Sequence, residues 1–131
     1  MAFDGPSPFD GDPAFDFQQE VLAAPEDIEA IVEDALCAPL ETEYAEIDEG
    51  VWAWIAAELL AHYAFGGATV ELPDALTGLP VESLADLAPL ARESLAAVAD
   101  ASRSELAQLW AEGYPEPLAE RLAPLLARLA G

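Results

Sequence analysis

Apolar residues recur at helical spacing along most of the chain. The first run is Ala14, Phe17 and Val21. Asp12 stands before it as an N-cap, and Pro13 suits a first helical position. Ala24-Pro25 closes the run, because a residue before proline avoids helical geometry. Ile28, Ile31, Val32, Ala35 and Leu36 predict a second helix, from Pro25 to Ala38. Glu26, Asp27 and Glu29 fill its first turn, where the helix dipole favours negative charge. Pro39 ends it, and residues 40–47 show no period.

The third helix is expected from Asp48, as its cap, to Phe65. Trp52, Ile55, Leu59 and Tyr63 make one stripe, and Trp54, Glu58, Ala61 and Phe65 a second. A helix apolar nearly all round belongs in the middle of a bundle. Gly66-Gly67 ends it. Residues 50–70 are long enough to raise the question of a membrane span. Glu58 in mid-run, the glycine pair and the absence of flanking lysine or arginine favour a buried helix instead.

Residues 68–82 read as a connection. A fourth helix is expected from Ser83 to Ala99, with Leu84, Leu87, Ala91, Leu95 and Val98 inward and a kink at Pro89. A short fifth starts at Ser102 or Ser104 and carries Leu106, Leu109 and Trp110. After the turn Gly113-Tyr114-Pro115, a last helix carries Leu118, Leu122, Leu125 and Leu129, bent at Pro124. No segment alternates as a strand would, and no repeat is visible. The pattern predicts an all-α fold: one domain over residues 1–131, a compact bundle of four to six helices. Phe9, Phe15 and Phe17 are expected to anchor an ordered N-terminal loop.

Charge changes this picture. The 131 residues include 26 acids against four arginines (Arg92, Arg103, Arg121, Arg128), with no lysine and one histidine, His62; the formal net charge is -22. A hydrophobic content of 53% still supplies a core. Binding nucleic acid through a basic face is excluded, since phosphate contacts need lysine or arginine, and adsorption to an anionic membrane is disfavoured. A basic protein is the partner that such a field suits. The charge is also uneven: residues 1–66 carry 16 of the acids and no arginine. Ten acids fall between residues 26 and 49: Glu26, Asp27, Glu29, Glu33, Asp34, Glu41, Glu43, Glu46, Asp48 and Glu49. No cation lies among them, so they are the expected partner-binding surface.

Candidate chemistry is sparse. Asp10, Asp12 and Asp16 hint at a calcium loop, but residue 14 is alanine and the position needing a glutamate is Val21. Glu58 and His62, four apart on one helix, match neither a zincin nor a di-iron spacing. No metal site, cofactor or catalytic residue is assigned. Glu58, among apolar helical neighbours, is expected to be a buried structural acid, satisfied by backbone N–H groups of the N-terminal loop or by His62. Cys37 is alone, so it makes no intramolecular disulfide, and the acids Glu33, Asp34 and Glu41 should raise its pKa. The opening Met-Ala-Phe-Asp-Gly-Pro lacks the basic and apolar regions of a secretory signal. A cytoplasmic protein is expected.

Three segments in order carry a resemblance. They are Pro8-Phe9-Asp10-Gly11-Asp12-Pro13-Ala14-Phe15-Asp16-Phe17, Ala56-Ala57-Glu58-Leu59-Leu60-Ala61 and Ser104-Glu105-Leu106-Ala107-Gln108-Leu109-Trp110. Together they resemble a bacterial family, domain of unknown function 4259. Its members open with a Gly-x-Gly-x-Phe-Asp-Asn-Asp-like loop and continue with Ala-Ala-Ala-Glu and Ser-Glu-Leu-x-x-Leu-Trp helices. Here Gly5-Pro6-Ser7-Pro8 replaces the glycine-rich start. The resemblance implies a single bacterial domain and no activity.

The function expected from the residues is that of a non-enzymatic acidic interaction protein. It would bind or block a basic protein surface, as immunity proteins, anti-toxins and nucleic-acid mimics do. The alternative is a small metal-binding or enzymatic helical domain built on clustered carboxylates.

Overall fold

The computed structural model describes residues 7–81 and 84–130. The described residues form six α-helices and no strand: α1 (Asp12–Ala23), α2 (Ile28–Cys37), α3 (Ile47–Ala64), α4 (Ala88–Ala99), α5 (Glu105–Gly113) and α6 (Leu118–Leu129). The all-α architecture read from the periodicity is therefore observed, with six helices at the upper end of the expected range.

α3 is the hub and packs against all five other helices. Every residue from Val51 to Ala61 except Trp52 is buried. One hydrophobic cluster draws on all six helices, with Phe17, Ile28, Leu36, Trp54, Ile55, Leu95, Leu106, Trp110 and Leu122 among its members. Gly50 explains how closely α5 approaches: a Cβ there would stand 3.1 Å from that of Leu106.

Prolines and side-chain caps set the helix boundaries. Pro25 and Pro39 sit in short 3-10 turns (Pro25–Asp27 and Ala38–Leu40) on either side of α2, dividing the span expected as one helix. Pro89 opens α4 and does not kink it, after a 3-10 turn at Ala85–Leu87. At that end of a helix its missing N–H forfeits no bond. Ser83, the expected start, lies outside the described residues. Asp48 does not cap α3. Glu46 does, in a capping box in which Glu49 Oε1 accepts from the Glu46 N–H at 2.9 Å. Asp12 likewise lies inside α1, whose N-cap is Gly11 with no side-chain cap. The expected fifth helix does begin after Ser104, whose hydroxyl accepts from the Ala107 N–H.

The expected N-terminal loop is described from Ser7 onward; its first six residues lie outside. Phe9 packs against the core and Phe17 is fully buried, but Phe15 is 63% exposed and anchors nothing. It follows Ala14 on the solvent side of α1.

The segments after and before α3 are held by side chains. At its C-terminal end Gly66 takes φ +86° and Gly67 φ +148°, and the Gly67 N–H returns to the Ala61 carbonyl. Tyr63 Oη donates to the Leu76 carbonyl and accepts from the Leu79 N–H, which pins the connection over residues 68–81. At the other end Ala45 and Ser104 form a parallel bridge, and Glu105 Oε1 accepts from the Ile47 N–H at 2.8 Å. No helix among the described residues is long and apolar enough to cross a membrane.

Candidate partner-binding surface

Helical geometry turns the buried stripe of α2 (Ile28, Val32, Ala35, Leu36) inward and leaves its acids outside. Of the ten acids between residues 26 and 49, nine are exposed and Glu49 is half-buried. They do not form one patch. Glu26, Asp27, Glu29 and Glu33 line a cleft of about 450 Å³ with Leu84, Leu87 and the further acid Asp86. Asp34, Asp48 and Glu49 line a different groove, of about 330 Å³, together with Glu20. Glu41, Glu43 and Glu46 line neither.

The second groove runs between α1, α2 and α3. Ile31, Ala35, Ala38 and Trp52 give it apolar walls beneath the four carboxylates. Trp52 is held in place: its Nε1–H donates to the Pro13 carbonyl at 2.9 Å, and its ring packs nearly perpendicular to that of Phe17, centroids 5.2 Å apart. Glu20, Asp86 and Trp52 were not among the expected surface residues. Glu20 and Asp86 lie outside residues 26–49, and only the packing of α1 and of the turn before α4 brings them there. Trp52 falls in a stripe that reads as core.

The arginines bind other groups than these acids. Arg92 Nη1 donates to the Leu129 carbonyl, Arg103 Nη2 to the carbonyls of Pro39 and Thr42, and Arg128 Nη1 to the Gly67 carbonyl. The Arg121 guanidinium lies 5.3 Å from the centre of the Trp54 ring. Each cation thus serves a chain end, a loop or an indole face.

Cys37 is half-buried near this surface. Burial pushes its thiol pKa up, and Glu41, Glu33 and Asp34 push it further. That is the wrong direction for a nucleophile. Asp100, at the C-terminal end of α4, is held below the usual aspartate range by hydrogen bonds from the Ser102 hydroxyl and N–H.

Glu58 is fully buried. Its partners differ from those expected. Trp54 Nε1–H donates to Oε2 at 3.0 Å, the Thr69 N–H to Oε1 at 2.7 Å, and the Thr69 hydroxyl to Oε2 at 2.6 Å. The glycine pair turns the chain back so that Thr69, rather than the N-terminal loop, reaches the carboxylate. His62 instead meets the edge of the Tyr63 ring at 4.7 Å. Among the described residues, no three His, Cys, Asp or Glu side chains are grouped so as to hold a metal ion.

The family model for Domain of unknown function (DUF4259) matches residues 4–120. The chain belongs to this family. No curated relative and no solved structure matches it. The three segments that carry the family resemblance have structural duties here. Phe9 packs on the core, Glu58 binds the returning chain, and Ser104 and Glu105 join the starts of α5 and α3.

Proposed function

We propose that this member of the DUF4259 family is a non-enzymatic, cytoplasmic interaction protein that docks on a basic protein surface through α2 and the start of α3. The observation that carries the reading is the exposure of nine of the ten acids at residues 26–49 while the four arginines bind carbonyls or an indole face rather than these acids. A folded surface that keeps so many like charges unpaired stores repulsion, which a basic partner relieves. Complementary fields also speed and orient association. A small bacterial domain that blocks a toxin or a nucleic-acid-binding face would use the same physics.

The test compares the parent with a variant carrying Glu26→Gln, Glu29→Gln, Glu33→Gln and Asp34→Asn. Proteins captured from the native host at low salt are identified, purified and measured for association rate. A partner whose rate falls steeply with salt for the parent, and is many times slower for the variant, supports the docking surface. A partner that binds both equally fast at low salt overturns it.

A further inference from the structure

The groove between α1, α2 and α3 is more apolar in its lining than the acidic cleft beside Leu84 and Leu87. Ile31, Ala35 and Trp52 lie inside it, and Glu20, Asp34, Asp48 and Glu49 surround them. A purely cationic ligand would gain nothing from the walls, and a purely apolar one would have to remain among four carboxylates. A side chain that is apolar along its stem and cationic at its tip satisfies both. We propose that this groove is the anchor site for an arginine side chain projecting from the basic partner. The proposal rests on the docking reading above and adds to it one specific pocket.

Arginine fits better than lysine for two reasons. Its planar guanidinium pairs with a carboxylate through two parallel hydrogen bonds. It also stacks on an indole face, and is more weakly hydrated than an ammonium group. Trp52 offers the indole, already fixed in orientation by the Pro13 carbonyl and by Phe17, so little side-chain entropy remains to be lost on binding. The volume of about 330 Å³ is at the lower end of small-ligand pockets. The last turn of α2 carries Asp34 and Ala35 of the groove lining and no basic residue of its own, and the C-terminal end of a helix is its negative end. The first turn of α3 opposes this with its positive end, which its acids Asp48 and Glu49 offset.

The probe is N-acetyl-arginine amide, with the lysine and the neutral citrulline amides as comparisons. Binding is followed by NMR, through the Trp52 indole N–H and the Ile31 and Ala35 methyl groups. The expected result is saturable shifts at these three residues with the arginine probe, weaker binding of the lysine probe, and no shifts with citrulline. The double variant Glu20→Gln/Asp34→Asn should lose about tenfold in affinity, as two partly exposed ion pairs are removed. Glu26→Gln/Glu29→Gln/Glu33→Gln, on the other cleft, should bind the probe with little change. Shifts spread evenly over the acidic residues, or absent at Trp52, overturn the groove as an arginine site. Either result can occur while the salt-dependent partner still distinguishes parent from the fourfold variant, so failure of the pocket is separable from failure of the docking surface.

Discussion

Glu58 accepts three hydrogen bonds at a position with no solvent exposure. The Trp54 indole N–H, if abandoned, is a buried polar group without a partner, and the two Thr69 donors are half-buried. Glu58→Ala should therefore lower stability by about 2–4 kcal/mol, read as a fall in Tm of about 10 °C. Glu58→Gln is the sharper variant. Its amide presents one oxygen and one NH2 group, so whichever way it is turned an N–H faces the Trp54 indole N–H or the Thr69 N–H. It should also be destabilised, although its shape is conserved; a melting temperature equal to the parent's would show that the bonds carry little. Cys37 gives a second test. Because burial and then Glu41, Glu33 and Asp34 raise its pKa, less thiolate is present at pH 8 than in a free cysteine. Alkylation by iodoacetamide should be several-fold slower in the folded protein than in urea. It should quicken in the folded protein as pH rises, and as salt screens the three carboxylates. Equal rates folded and unfolded would contradict this.

At the scale of elements, the stop signal of α3 sets where the chain goes next. Gly66 holds φ +86° with nothing within 4 Å of a would-be Cβ, so substitution there costs conformational strain and no clash. Gly66→Ala should destabilise by about 1 kcal/mol. Gly78→Ala, at a site equally open but without the positive φ, is the control and should be near neutral. A chemical denaturation midpoint that moves equally in both would dismiss the turn as the cause. Helix positions were legible in the sequence because the spacing of Phe17, Leu95 or Leu122 depends only on local geometry. Their ends were less so. Glu46 is hard to read as the cap of α3 because Asp48 fits the same local rule, and the choice is made by the reciprocal bond with Glu49. Pro89 read as a kink because the 3-10 turn before it, which makes it a helix opener, leaves no periodic mark. The partner of Glu58 was legible only as a need: burial follows from its apolar neighbours, whereas Thr69 reaches it across a turn whose path no local pattern encodes. The acidic surface was visible as a cation-free stretch. Its division into two grooves, one with apolar walls, depends on the packing of Glu20, Trp52 and Asp86 from elsewhere.

At the scale of the whole molecule, the formal charge of -22 is spread over a chain whose arginines are committed to carbonyls and an indole. Unfolding lets those charges separate, so their mutual repulsion works against the folded state. On α2, Glu29 and Glu33 stand at i,i+4, where like charges cost about 0.2–0.5 kcal/mol, and Glu26 in the preceding 3-10 turn is three residues from Glu29. Salt shortens the reach of the field from about 30 Å at 0.01 M to about 3 Å at 1 M, and so removes most of the long-range part. Raising NaCl from 10 mM to 500 mM should therefore stabilise the protein. About 1 kcal/mol of relieved repulsion corresponds to a Tm higher by about 3–5 °C for a chain of this size. The variant with Glu26, Glu29, Glu33 and Asp34 neutralised should melt higher than the parent at low salt and gain less from added salt, so the two curves converge. This links stability to docking: the repulsion that salt screens in the free protein is the same repulsion a basic partner would relieve. If the parent's Tm stays flat or falls with salt while the variant behaves alike, the acids are tolerated without cost, and relief of repulsion is not what drives a basic partner to bind.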